Sequence, residues 1–186
     1  GDVYKRQVLA AAQAKAQVLA VELSSFQLYT ISSLSPLAAV CLNIDADHLD
    51  WHGSEAAYVA AKARVYERAQ KAVLYNQQDS RTLDLTLAAD VTEGCRAIGF
   101  TTGIPDIYQL GLVENMLIDR AYSANPYKEA VALVGMGDFH YYHGEPGITV
   151  LQDALAAAGL TRALGVAPEA VRDGIRSFVP QAHRRA

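Results

Sequence analysis

The first hundred residues alternate short apolar runs with stretches of helical period. Val18–Leu23, Ala38–Ile44, Ala72–Asn76 and Ala97–Phe100 are brief, mostly apolar and bounded by polar residues. That is the pattern of strands buried on both faces of a parallel sheet. Between them, Ser24 and Ser25 are N-cap residues for a short helix through Phe26, Leu28 and Ile31, closed before Pro36. Gly53-Ser54 caps a longer helix from Glu55 to Gln70, and Arg81–Ala89 predicts another. Strand and helix in turn predict a parallel α/β sheet with right-handed crossovers. The order then changes. Leu110–Val113 and Met116–Arg120 flank Glu114-Asn115 as a β-hairpin, and Val131–Val134 predicts one more strand. Gly135–Gly147 reads as a loop, Leu151–Leu164 as a helix closed by Gly165, and Pro168 opens a last helix over Glu169–Phe178. Upstream, Val8–Gln17 is rich in Ala and Gln and predicts a helix.

Composition narrows the class. A chain of 186 residues, about half apolar, suits one domain with a core that needs no staples. The net charge of −4, without a basic block, argues against nucleic acid as the partner. No run of about 18 apolar residues predicts a membrane span, and no signal peptide is evident. Cys41 and Cys95 are far apart, which fits two reduced core thiols in a cytoplasmic setting. The chain contains no GxxxxGK[ST] loop, so it holds no phosphate cradle of that kind. It begins Gly1-Asp2-Val3-Tyr4-Lys5-Arg6-Gln7 and stops at Arg184-Arg185-Ala186, and both ends read as cuts in a longer protein.

Several side chains have the chemistry for a phosphate and metal site. Glu22 ends the first apolar run, and ligands of open α/β sheets bind beyond the carboxyl ends of strands. A carboxylate there suits Mg²⁺, a hard ion that shares oxygen ligands with phosphates, but is equally an ordinary strand-end charge in water. His48 follows the second run among Asp45, Asp47 and Asp50. It is either a metal or phosphoryl contact or a loop histidine bonded to a neighbouring carboxylate. Asp47-His48-Leu49-Asp50-Trp51-His52 has the composition of a metal hydrolase but not the HExxH spacing. Lys62 lies between Tyr58 and Tyr66, one helical turn to each side. It is either a lysine whose stem covers the core or an amine that reacts with CO₂ to give a carbamate, an anionic metal ligand. Asn76 and Asp79 follow the third run and either touch a ligand or cap the next helix. His140 and His143 have chelating spacing but no evident third ligand, and read as surface loop.

Three of these segments occur in a specific order. Glu22-Leu23-Ser24-Ser25-Phe26-Gln27-Leu28, then Asn43-Ile44-Asp45-Ala46-Asp47-His48-Leu49-Asp50 with His52-Gly53-Ser54, then Ala60-Ala61-Lys62-Ala63-Arg64 resemble the central domain of the Mur ligases. These are ATP-dependent amide-bond-forming enzymes of peptidoglycan precursor synthesis. The residues after Glu22 resemble the branch that adds D-glutamate. More weakly, Gln152–Ala158 resembles a helix whose asparagine contacts ATP in the family, here Asp153, with Thr149-Val150 where a His-Asn pair is usual. Ala182-His183-Arg184 resembles the end of the central domain.

The resemblance implies a fold, a reaction and a set of roles. The fold would be α/β, a P-loop-type, mostly parallel sheet flanked by helices with a small antiparallel hairpin region, truncated on its N-terminal side. Residues 1–17 would be an atypical junction plus helix, and 18–186 a partial central ATPase domain without the UDP-binding and amino-acid-binding domains. Glu22 would hold the Mg²⁺ that bridges the ATP phosphates, and His48 and a carbamylated Lys62 would share a second Mg²⁺. Ser24 would contact the UDP-sugar, and Asn76, Asp153 and Arg184 the nucleotide. The substrates would be UDP-N-acetylmuramoyl-L-alanine, D-glutamate and ATP, joined through an acyl phosphate in a monomeric cytoplasmic enzyme. Two alternatives are an inactive remnant of this fold and a related ligase such as folylpolyglutamate synthase. Ser25-Phe26-Gln27 argues against the latter.

Overall fold

The computed structural model describes residues 16–45, 47–139 and 146–179. In chain order they form α1 (Ser25–Thr30), β1 (Ala38–Cys41), α2 (Leu49–His52), α3 (Glu55–Ala63), β2 (Ala72–Asn76), α4 (Ser80–Ala88), β3 (Arg96–Phe100), β4 (Gln109–Val113), β5 (Met116–Asp119), β6 (Val131–Gly135), α5 (Ile148–Ala163) and α6 (Pro168–Ser177). The six strands make one sheet in the order β1-β2-β3-β4-β5-β6. β1 to β4 run parallel, and β4-β5-β6 is an antiparallel meander. The mostly parallel α/β sheet with a hairpin is therefore as the alternation predicts. Glu114 takes a φ of 52° in the hairpin turn, where a left-handed backbone is needed.

Both faces of the parallel part are covered, which explains its unbroken apolar runs. On β2, Ala72 and Leu74 face one core with Ile98, Phe100, Leu110 and Leu155. Val73 faces the other with Ala39, Cys41, Ile44, Tyr58 and Tyr66. α5 lies against β1 to β4 on the first face. Its Gly159 permits that approach: a Cβ there would stand 2.5 Å from the buried Leu74 side chain.

Four expectations change. Val18–Leu23 is not a buried strand. It is irregular, Val18, Leu19 and Val21 are exposed, and it pairs with none of the described strands. An apolar run gains nothing as a strand unless a neighbour takes up its ladder and covers its faces. The run from Ala38 is a strand only as far as Cys41, after which the backbone turns to bury Ile44. The helix from Glu55 stops at Ala63, tightens into a 3₁₀ turn at Arg64–Tyr66, and leaves through Arg68 at φ 54°. The cause is tertiary. Arg64 donates to the Tyr29 and Ile31 carbonyls, and Arg68 to those of Ser32 and Leu34, stitching this corner to the chain that leaves α1. Finally, α5 begins at Ile148, a turn before Leu151. The segment 140–145, including His140 and His143, lies outside the described residues. So does Val8–Gln17, apart from Ala16 and Gln17, which are not helical.

Candidate functional site

The carboxyl ends of β1 and β2 are tied together by side chains where a ladder would otherwise continue. Tyr66 is fully buried, and its hydroxyl accepts from the Cys41 amide at 2.9 Å and donates to the Leu74 carbonyl at 2.6 Å. Two residues on from Leu74, the Asn76 amide donates to the Thr82 hydroxyl at 2.9 Å. The Asn76 side chain instead reaches across to the Leu42 carbonyl at 3.0 Å and accepts from Gln78 N–H at 3.0 Å. Asp79 accepts from the Ile44 amide at 2.8 Å and caps α4. Burial alone would raise the Asp79 carboxyl, but hydrogen bonds from the Arg81 side chain and Ile44 N–H, with the Arg81 charge, hold it below the usual range. The turn after β1 is thus clamped by the turn after β2, at the edge where open α/β sheets bind ligands.

That clamped turn leads into His48, whose backbone is left-handed at φ 53°, ψ 36°. For a non-glycine residue this is an uncommon conformation. Its amide donates to Asp47 Oδ1 at 2.7 Å, and its Nε2 lies 3.4 Å from Asp47 Oδ2. α2 follows directly and ends at Gly53, also left-handed at φ 78°. Bracketed in this way, the single turn presents Trp51 and His52 to α1.

Two of the three segments singled out from sequence meet at Phe26, and the third is reached from there through His52 and Tyr58. The Phe26 ring centroid is 4.9 Å from His48, 4.8 Å from Trp51 and 5.6 Å from His52, the last stacked at 17°. His52 continues the cluster to Tyr58 of α3 at 5.4 Å, and Lys62 Nζ lies 5.9 Å from the Tyr58 centroid. Burial pushes the Tyr58 phenol up, and neighbouring Cys41, Asp47 and Asp45 add to it. Burial also raises the Cys41 thiol, against the opposing effect of the Lys62 charge.

The other candidate residues are placed as follows. Ser24 caps α1 in a capping box: its hydroxyl accepts from Gln27 N–H at 3.3 Å, and Gln27 Oε1 accepts from the Ser24 amide at 2.9 Å. Glu22 is exposed in the irregular segment before it. Lys62 is the penultimate residue of α3 rather than mid-helix. Asp153 is exposed on α5 at an apolar cleft of 380 Å³ between α5 and α6. Its neighbour Gln152 donates to Gln78 at 3.2 Å, so this end of α5 abuts the turn after β2. Arg184 lies outside the described residues. Among the described residues no group of three or more His, Cys, Asp or Glu side chains is placed to hold a metal ion. None of their helices is long and apolar enough to cross a membrane.

Two contributors were given no site role of their own from sequence. His52 Nε2 bonds Ser25 Oγ at 3.0 Å and ties α2 to α1, while its Nδ1 is buried with no partner among the described residues. Its spacing of four from His48 was the available signal. Tyr66 gave no signal beyond its helical distance from Lys62, because its role depends on a gap between strands.

An open α/β sheet with polar side chains gathered beyond the carboxyl ends of β1 and β2 defines a ligand-binding α/β domain, and comparison with known proteins gives the family. Residues 3–124 match the Mur ligase middle domain, and the chain belongs to the Mur ligase family. It is 53% identical over 169 residues to the UDP-N-acetylmuramoylalanine--D-glutamate ligase of Streptomyces coelicolor, covering 91% of this chain and 35% of that protein. The ligase of the same name from Leifsonia xyli subsp. xyli is 45% identical over 175 residues, covering 90% of this chain and 33% of the relative. The chain thus spans about a third of the length of these relatives. In fold it resembles MurF from Acinetobacter baumannii, with a TM-score of 0.54 and 22% identity over 81% of this chain and 31% of that one.

Proposed function

We propose that this chain is part of the central, ATP-using domain of a ligase that joins D-glutamate to UDP-N-acetylmuramoyl-L-alanine for peptidoglycan, as a monomer in the cytoplasm. The observation that carries the reading is the packing of Phe26, from the Ser24–Gln27 segment, against His48 and His52, with His52 in turn against Tyr58, whose ring lies 5.9 Å from Lys62 Nζ. The names of relatives up to 53% identical support it.

In this reading the acceptor carboxylate takes a phosphoryl group from ATP, and the D-glutamate amine displaces phosphate from the acyl phosphate. Such transfers depend on positioning and on neutralising phosphoryl charge. Mg²⁺ supplies that neutralisation and is usually held by one or two protein ligands, with phosphates and water completing its shell. The donor chemistry here fits: Glu22 would serve one ion, and His48 with a carbamylated Lys62 the other. Carbamylation turns a cation beside the Tyr58 ring into an oxygen donor. Of the chain's own residues, Asp79 and Asn76 anchor Ile44 and Leu42 ahead of His48, Phe26 packs on His48, and the Tyr58 ring lies beside Lys62. Ser24 would meet the UDP-sugar, and Asp153 and Arg184 the nucleotide.

The test is phosphate release by the protein encoded by the full reading frame. Release should require ATP, UDP-N-acetylmuramoyl-L-alanine and D-glutamate together. Release that ignores D-glutamate, or none at all, would sink the reading. The 186-residue chain alone should be silent, because it contains no phosphate-cradling loop.

A further inference from the structure

Beside His48 the surface carries an aromatic corner that the ligase reading does not use. Trp51 is 50% exposed and Tyr29 58% exposed, and their rings meet edge to face at 5.2 Å and 86°. Trp51 also stands perpendicular to Phe26 and, at 4.6 Å, nearly so to His52. The corner is held from several sides. The capping box fixes the start of α1, the His52–Ser25 hydrogen bond joins α2 to it, and left-handed residues bracket α2 at both ends. A left-handed non-glycine backbone costs free energy and persists where the surroundings impose it, often at working sites. Here its product is the placement of one half-exposed indole next to His48.

We infer that Trp51 and Tyr29 form a stacking platform for the pyranose ring of the acceptor sugar, a contact that rests on the ligase reading above. The chemistry matches. A pyranose has an apolar C–H face and a hydrated rim of hydroxyls. A half-exposed indole beside a half-exposed phenol likewise offers an apolar face with polar edges in water. The position matches as well, because the corner is continuous through Phe26 with His48 and through α1 with Ser24. An acceptor whose carboxylate is activated near His48 and whose nucleotide-sugar part reaches Ser24 lies along this corner. Because the rings are already packed, little side-chain freedom is lost when the sugar docks.

The experiment is steady-state kinetics on the protein from the full reading frame, with Trp51→Ala, Trp51→Phe and Tyr29→Ala. Trp51→Ala should raise KM for UDP-N-acetylmuramoyl-L-alanine about tenfold, the scale of losing one aromatic anchor, and leave KM for ATP as it was. Trp51→Phe should restore part of the loss, and Tyr29→Ala should show a smaller rise in the same constant. An unchanged acceptor KM in Trp51→Ala overturns the platform while the ligase reading stands. A rise in the ATP KM instead assigns the corner to a nucleobase and overturns the sugar assignment. Equal losses in every constant, not eased by phenylalanine, make Trp51 a packing residue and also overturn it. A wild-type protein with no D-glutamate-dependent turnover removes the ligase reading itself.

Discussion

The Tyr66 hydroxyl stands between Cys41 and the strand that Cys41 pairs with. The register sets Cys41 opposite Tyr75, which aims the Cys41 N–H at the Leu74 carbonyl. Tyr66 Oη bonds both groups, at 2.9 Å and 2.6 Å. A side chain from one face of the sheet thereby completes the last step of the β1–β2 ladder, beside the turn that carries His48. Tyr66→Phe removes the bridge and keeps the ring. Two buried backbone groups then lose a partner, and stability should fall by about 1–3 kcal/mol. Urea unfolding of the 186-residue chain measures it. A loss below about 0.5 kcal/mol would mean that the strands close and bond directly.

Asp79 makes a pH-dependent contribution. Its folded carboxyl titrates below the ordinary value of 3.8, because hydrogen bonds from Arg81 and Ile44 outweigh burial. Between those two values the unfolded chain binds more protons, so stability falls as pH falls. The contribution is complete above the unfolded value and is lost as pH drops toward the folded one. Asp138 is shifted the same way, with Gly135 N–H and Arg176 outweighing its burial. Asp79→Asn should therefore flatten the acid limb of stability against pH in part, while lowering stability near neutrality. Unfolding free energies from pH 6 to pH 2.5 give the slope, and an unchanged slope refutes the linkage.

The strands that were legible are those whose environment is local to their own run. Ala72–Asn76 is apolar throughout because β1 and β3 flank it and both faces are covered. The β4–β5 hairpin is marked by the two residues of its turn. Val18–Leu23 carries the same apolar pattern, but a pattern cannot supply the neighbour that a strand requires. The end of α3 was hidden for a related reason. Arg64 and Arg68 look like ordinary helix formers, and only the carbonyls of Tyr29 to Leu34 show why the chain turns there. Of the candidate residues, His48 and Lys62 were named from motif order, whereas Phe26, on which His48 packs, was read only as part of a motif and a short helix. Asn76 could be named but not resolved between ligand and structural roles, and its side chain is engaged with Leu42 and Gln78. His52 and Tyr66 act through partners 27 and 25 positions away, so the spacing of His52 from His48 and of Tyr66 from Lys62 did not show what they do.

Away from the site, Asp119 is fully buried and bonds Arg162 Nε at 2.9 Å. Its other oxygen accepts from the Ala121 and Tyr122 amides, each at 2.8 Å. The pair links the end of β5 to α5. Asp119→Ala leaves a nearly buried guanidinium without its carboxylate and should cost about 3–5 kcal/mol. Adding Arg162→Met should recover part of that loss, because no unpaired charge then remains. Thermal unfolding of both variants decides the matter. A double variant less stable than Asp119→Ala would show that Arg162 contributes mainly through its bonds to the Tyr122 and Val166 carbonyls.

Lys62 allows a chemical test of the proposed carbamate. Its ammonium nitrogen lies 5.9 Å from the Tyr58 ring centroid. As a cation it could not ligate Mg²⁺; as a carbamate it presents two oxygens. In the protein from the full reading frame, Lys62→Ala should lose nearly all D-glutamate-dependent phosphate release. Short-chain carboxylates such as formate or acetate, small enough for the vacated space, should restore part of it by standing in for the missing oxygens. Lys62→Arg should remain inactive and resist rescue, since a guanidinium keeps its charge and cannot form the carbamate. Rescue of alanine but not arginine identifies an oxygen ligand at this position. Full activity in Lys62→Ala would remove Lys62 from the site, and activity in Lys62→Arg would assign it the role of a positive charge instead.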